Sequence, residues 1–83
     1  MMLRFKHKSG EMIVDLWSAL PVHLTWLNFF LSKVDESEDQ DQILNEVMRV
    51  LRRKEATAQR TEELKLIRKD MEAIQERYGG SYE

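Results

Sequence analysis

The chain has 83 residues, of which 34% are charged, and its formal net charge is −2. It contains no cysteine, which excludes disulfides, thiolate metal sites and cysteine nucleophiles, and its charge excludes a general attraction to phosphate or anionic lipid. A single domain of this size buries only about 60–65% of its unfolded surface. We therefore expect a cytoplasmic protein that gains stability by self-association.

Residues 2–17 have the alternating pattern of a β-hairpin. A two-residue turn at Ser9 and Gly10 would place Lys8 opposite Glu11 and Arg4 opposite Asp15, as two cross-strand pairs of opposite charge. Because side chains alternate between the two faces of a strand, this register gives the hairpin one apolar face. That face consists of Leu3, Phe5, Met12, Val14 and Leu16.

The segment from Leu16 to Ser32 contains no Asp, Glu, Lys or Arg and must be hidden from water. We predict an amphipathic helix over 18–34, with Ser18 as its N-cap and Pro21 in its first turn. At about 100° per residue, one apolar stripe contains Leu20, Leu24, Leu27, Leu31 and Val34. We expect Leu24, Leu27 and Leu31 to share one core with Phe5 and Val14.

Beyond the core, the sequence of this segment leaves two alternatives, a second apolar contact and a membrane. Phe29 lies on the side opposite the stripe, which suggests a second apolar contact with another helix or another chain. Residues 16–34 are also about long enough to span a membrane. Polar residues such as His23 and Asn28 oppose that alternative, since a helix in lipid would have no polar side.

Residues 35–39 form an acidic connector (DESED) before a long helical sequence. Ser37 followed by Gln40 fits a capping box for the helix that begins near residue 40. Residues 40–78 are predicted to be helical, and 79–83 to be a tail that begins with Gly79 and Gly80. The fold class expected from these elements is α+β and predominantly α-helical.

The apolar residues of 40–78 lie on two arcs that are nearly opposite on a straight helix. Either the chain turns near 55–61, or one helix runs through and packs its second half elsewhere. No Gly or Pro marks a turn, and the residues at 54–61 (KEATAQRT) include good helix formers. The sequence therefore favours the single long helix.

The second arc has the 4-3 spacing of a coiled-coil seam. Its residues are Leu64, Ile67, Met71, Ile74 and Tyr78. On a long helix these side chains would be exposed in a monomer, which favours a dimer formed through this seam, with Phe29 as a further contact. The alternative is that the seam packs against the chain's own first helix, over 18–34.

No residue pattern in the chain indicates catalysis. His7 and His23 are the only histidines, and neither stands at the spacing of a nucleophile, metal or phosphate motif. We expect no enzyme activity, no cofactor and no metal. The favoured function is a protein–protein interaction module, such as a small assembly factor, adaptor or inhibitor of bacterial or phage type. A helical regulator that contacts nucleic acid through Arg49, Arg52 and Arg53 is the alternative, and membrane association through 16–34 is the least favoured.

Overall fold

The computed structural model describes residues 2–79, which form a β-hairpin followed by helices. The elements are β1 (Met2–His7), β2 (Gly10–Asp15), α1 (Leu16–Ala19), α2 (Leu24–Asp35), α3 (Gln40–Thr57) and α4 (Thr61–Tyr78). The predicted α+β, predominantly helical class is confirmed. Gly79, with φ 76°, is the left-handed residue that ends α4. The rest of the predicted tail, residues 80–83, lies outside the described residues.

The hairpin forms, but its register differs from the predicted one. Phe5 lies opposite Met12, and Lys8 and Ser9 are the turn residues. The predicted pairs of Lys8 with Glu11 and of Arg4 with Asp15 are therefore wrong. A slip of two residues keeps every side chain on its face, so the predicted apolar face is preserved. Glu11 instead lies opposite Lys6, with Arg4 Nε 3.6 Å from its Oε1 atom.

The predicted single helix over 18–34 is wrong, because the chain leaves the helical path at residues 20–23. Pro21 lies in this break, and Ser18 lies inside α1, where its hydroxyl donates to Asp15 Oδ2 at 2.9 Å. The break is stabilised by distant side chains. Lys54 Nζ donates to the carbonyl oxygens of Trp17 and Leu20, and Asp70 accepts the N–H of Val22. These contacts satisfy the Leu20 carbonyl oxygen and the Val22 N–H, which a continuous helix would have paired internally. They also supply a donor to the Trp17 carbonyl oxygen, whose i+4 partner in a helix would be Pro21, a residue without an N–H.

The preference for one helix over 40–78 is also wrong. The chain turns at 58–60, with Arg60 as an N-cap that makes no side-chain hydrogen bond. The turn brings both apolar arcs to the same core, where Leu44 and Val47 of α3 are as fully buried as Ile67 and Ile74 of α4. Burying two apolar stripes outweighs the few hydrogen bonds lost where the helix is interrupted.

One core joins all the helices to the inner face of the hairpin. Its buried members are Phe5, Val14, Leu16, Leu20, Leu27, Phe30, Leu31, Val34, Ile43, Leu44, Val47, Met48, Val50, Leu51, Ile67 and Ile74. The prediction is confirmed for four of the five expected core residues and wrong for Leu24. Leu24 is 44% exposed because it begins α2 beyond the break, at the flank of the buried stripe.

The acidic connector occupies residues 36–39, between α2 and α3. The Ser37 hydroxyl accepts the N–H of Asp39 at 3.1 Å, and Asp39 is the N-cap residue of α3. The predicted capping box between Ser37 and Gln40 is therefore wrong. The hydroxyl instead accepts a backbone N–H only two residues along the chain, and this local turn takes the place of the capping hydrogen bond.

Candidate interaction surfaces

The residues of the predicted seam lie mostly against the chain itself. Ile67 and Ile74 have 0% exposure, whereas Leu64 and Met71 are half-buried. The expectation that Ile67 and Ile74 are exposed in a monomer is wrong, because the turn at 58–60 directs α4 back onto α3. An interface role for Leu64 and Met71 stays a prediction.

Tyr78, the last seam residue, ties the end of α4 to the end of α2. Its hydroxyl donates to Asp35 Oδ1 at 2.6 Å, and Arg77 Nη2 donates to Asp35 Oδ2 at 2.6 Å. Burial of the phenol, reinforced by the Asp35 carboxylate, raises the pKa of Tyr78 to about 12. These contacts give Tyr78 a role within one chain, while a contact with a second chain stays a prediction.

Phe29 is the predicted interface residue that the structure leaves on the surface. Its side chain is 51% exposed, with Lys33 Nζ 5.4 Å from the ring centroid. On the neighbouring side of α2, the half-buried Trp26 stacks on Phe30 at 5.5 Å, and Phe30 meets the edge of Phe5 at 6.0 Å. Contacting aromatic side chains thus run from Phe5 of β1 through Phe30 to the half-buried Trp26 of α2.

Other large apolar side chains are exposed on the hairpin and on α1. Met2 and Ile13 lie on the outer face of the hairpin, and Ile13 is 50% exposed. Trp17 lies on α1 with Lys54 Nζ 4.8 Å from its ring centroid. Lys54 also donates a hydrogen bond to the Trp17 carbonyl oxygen. The indole therefore faces solvent on one side and contacts the lysine that stabilises the helix break at 20–23.

A cleft of about 570 Å³ separates β1 from the acidic connector. Its lining residues are Arg4, Phe5, Lys6, His7, Lys8, Glu11, Glu36, Glu38 and Asp39. The hairpin wall is therefore mainly basic, although it includes Glu11 beside Arg4, and the connector wall is acidic. Sequence reasoning missed this cleft because the two walls are about 30 residues apart and meet only when the core forms.

The three arginines predicted to contact nucleic acid are all exposed on α3. Arg49 Nη1 lies 3.3 Å from Glu46 Oε1, an exposed ion pair within the same helix. Lys54, which extends the basic cluster in the sequence, is directed instead to the carbonyl oxygens of Trp17 and Leu20. The structure thus keeps the arginines on one surface and removes Lys54 from it.

Asp70 is a polar residue that sequence reasoning missed. It has 0% exposure, its Oδ2 accepts the Val22 N–H at 2.7 Å, and its Oδ1 has no hydrogen-bond partner among the described residues. Desolvation raises the pKa of Asp70 to about 6, against the opposing effects of the Val22 hydrogen bond and of nearby His23. The signal was its position three residues after Ile67 and four before Ile74, on the buried side of α4.

The two histidines lie in different elements, His7 in β1 and His23 at the start of α2. The imidazole Nδ1 of His7 accepts the Ser9 N–H at 3.2 Å, and His23 is the exposed N-cap residue of α2. Within residues 2–79, no group of three His, Cys, Asp or Glu side chains is placed to hold a metal ion. None of the helices in this range is both long enough and apolar enough to cross a membrane.

Comparison of the chain with protein-family models, curated proteins and solved structures gives no match.

Proposed function

We propose that this protein is a non-enzymatic protein–protein interaction module whose partner contacts the exposed face of α2. The observation that carries the proposal is Phe29, which is 51% exposed although the two other aromatic residues of α2, Trp26 and Phe30, are stacked and partly or fully buried. Aromatic residues are enriched among the side chains that dominate the affinity of protein interfaces. Complete burial of such a side chain stabilises a complex by about 1.5–3 kcal/mol.

The surroundings of Phe29 favour a protein partner over a purely apolar one. Thr25, Asn28, Ser32 and Lys33 share its side of α2 and supply hydrogen-bonding groups around the ring. An apolar centre with a polar rim is the usual arrangement of a protein interface. The proposal covers an assembly factor, an adaptor or an inhibitor, and the absence of cysteine suits action in the reducing cytoplasm.

The proposal is tested by capturing proteins from the source cells on the immobilised chain. Phe29→Thr is compared with Ile13→Thr, a matched control since Ile13 has nearly the same exposure, 50%. We expect at least one protein to be retained by the wild type and the control and lost by Phe29→Thr, with equal thermal midpoints for all three chains. Identical retained proteins for all three would contradict the proposal.

A second copy of the chain is one partner that this experiment must identify. Light scattering at several concentrations reports the mass of each variant directly. If the wild type is a dimer and Phe29→Thr is a monomer, the homodimer contact lies on the exposed face of α2. A dimer that persists in Phe29→Thr would place the homodimer contact elsewhere.

Nucleic-acid binding through α3 is the second candidate, because Arg49, Arg52 and Arg53 are exposed on one helix. Binding of a random-sequence duplex that weakens steeply with salt would support it. The matched variant Arg49→Gln with Arg53→Gln should then reduce the salt dependence. Binding that is undetectable at low salt would exclude this candidate.

A further inference from the structure

We infer that the free edge of β1 is the docking site for an extended segment of a partner protein, with acidic side chains at alternate positions. This inference rests on the proposed function and specifies how a partner is recognised. Three observations support it: one edge of β1 has no strand partner in the described chain, a cleft borders β1, and the basic residues Arg4 and Lys6 lie on one side of this strand.

The sheet has only two strands in the described chain, in the order β1–β2. Each strand is hydrogen-bonded along one edge, and the other edge of β1 presents backbone N–H and C=O groups without a strand partner. A strand added to such an edge gains main-chain hydrogen bonds, while its side chains set the specificity.

The cleft shows that this edge is accessible. Five consecutive residues, 4–8, line it, so side chains from both faces of β1 border the same space. Its volume, about 570 Å³, lies within the range of about 300–1,000 Å³ typical of ligand-binding clefts. An incoming strand would therefore lie between β1 and the connector.

The charge pattern of β1 specifies the occupant. Arg4 and Lys6 lie at alternate positions on the outer side of β1, whereas Phe5 lies on the inner side. Lys8 follows in the turn and also lines the cleft. An added strand would thus place acidic side chains beside the cations and apolar side chains on the inner side. On the paired edge, β2 has this pattern in part, with Glu11 opposite Lys6 and Met12 opposite Phe5, whereas Ile13 lies opposite Arg4.

The same charges disfavour other occupants. Two β1 edges from two copies of the chain would bring Arg4 and Lys6 against like charges, which destabilises cross-strand pairs. The opposite wall of the cleft carries Glu36, Glu38 and Asp39 and repels a polyanion such as nucleic acid. A segment with acidic side chains on one side only would pair with Arg4 and Lys6, and its uncharged side adds no negative charge against the acidic wall.

The inference is tested with the acetylated and amidated peptide EVETEV, titrated into the isotope-labelled protein and followed by NMR. The peptide KVKTKV is the control for charge. We expect EVETEV to shift the amide signals of residues 4–8 and to slow exchange of the Arg4 and Lys6 amides, and KVKTKV to do neither. No shift at residues 4–8 at millimolar EVETEV, or equal shifts with KVKTKV, would overturn the inference.

The variant Arg4→Thr with Lys6→Thr should weaken EVETEV binding by about threefold to tenfold, as expected for the loss of two exposed ion pairs. Threonine suits a strand, and Lys8→Thr in the turn is the substitute should the double variant perturb the hairpin. Arg49→Gln with Arg53→Gln removes the same charge from α3 and should leave binding unchanged. An equal loss in both double variants would show unspecific attraction and would also overturn the inference.

The capture experiment separates this inference from the proposed function. Partner capture that survives Arg4→Thr with Lys6→Thr but is lost in Phe29→Thr would uphold the interaction module and overturn the strand site as its mode of recognition. Loss of capture in both would support the two surfaces together. Equal retention in all variants would contradict the proposed function, and the peptide titration would then decide the strand site alone.

Discussion

The two interruptions in the helical sequence, at 20–23 and at 58–60, are stabilised by different forces. The first contains Pro21 and is held by polar groups from far along the chain, Lys54 and Asp70. The second contains no Gly or Pro, and α4 beyond it is fixed by buried apolar side chains such as Ile67 and Ile74. Local sequence and tertiary burial can therefore each decide where a helix ends.

This difference has consequences for stability. The first interruption depends on the ammonium group of Lys54 and the carboxyl group of Asp70. Its contribution should therefore vary with pH through Asp70, whose pKa is raised by burial, and should be reduced by a neutral substitution at Lys54. The second depends on area removed from water, so it should tolerate pH changes but not the loss of core volume.

The largest effect is expected at the core that the second interruption creates. Ile67→Ala should lower the free energy of unfolding by about 2–5 kcal/mol, measured by denaturant unfolding, and Ile67→Asp should prevent folding. The half-buried neighbour Leu66 is the control, since Leu66→Ala should cost less than half as much. A folded Ile67→Asp protein of reduced mass would show instead that this side chain lies between chains.

The next largest effect is expected at the first interruption. Lys54→Met keeps the aliphatic stem but removes the donors to the Trp17 and Leu20 carbonyl oxygens. We expect a loss of about 2–4 kcal/mol, from the usual worth of hydrogen bonds to charged groups. Arg53→Met on the exposed side of α3 should change the free energy of unfolding by under about 0.5 kcal/mol. Equal values for the two variants would exclude a structural role for the Lys54 ammonium.

A pH effect should arise from Asp70. Its pKa is raised from 3.8 to about 6 by burial, so the folded state favours the protonated carboxyl. Its contribution to stability is therefore fully present below about pH 4 and is lost as pH rises through about 6, a change of about 1–3 kcal/mol.

The measurement is the difference in unfolding free energy between the wild type and Asp70→Asn across pH 3.5–8, which cancels the contributions of other carboxylates. Relative to the variant, the wild type should lose stability as pH rises. A difference that is constant with pH, or one that grows in favour of the wild type, would contradict the assignment.

The smallest effect is expected at the hairpin turn, which depends neither on the polar contacts at 20–23 nor on the apolar burial of α4. Gly10 has φ 141°, and a Cβ atom there would meet nothing within 4 Å, so the cost of Gly10→Ala is conformational alone. We expect a loss of about 1 kcal/mol, seen as a lower thermal midpoint, whereas Ser9→Ala should have little effect. A midpoint unchanged by Gly10→Ala would show that the turn tolerates a side chain at this position.

The hairpin illustrates how far the sequence alone determines the fold. The alternation of Leu3, Phe5, Met12 and Val14 predicted the correct faces, because any register shifted by two residues preserves them. For the same reason, the pattern could not choose between the two registers. That choice belongs to the turn, where the positive φ falls on Gly10 just after the two turn residues.

The helices show where local reasoning fails. Propensity favoured a continuous helix through residues 58–60, and only burial of both apolar arcs against one core interrupts it. Exposure of Phe29 was foreseeable from its position opposite the apolar stripe. The cleft between β1 and the connector was not, because it depends on how two distant segments are placed by that core.

In this fold, α3 and α4 pack against one another within one chain. This packing is tested most directly by electron–electron distance measurement between spin labels at Gln42→Cys and Glu76→Cys, which the lack of native cysteine makes specific. An excess of unlabelled protein restricts the signal to distances within one chain. If α4 packs back on α3, the two labels should be separated by less than the longest dimension of the described chain, 37 Å. A separation of about 51 Å, the length of 34 residues in one continuous helix, would contradict it.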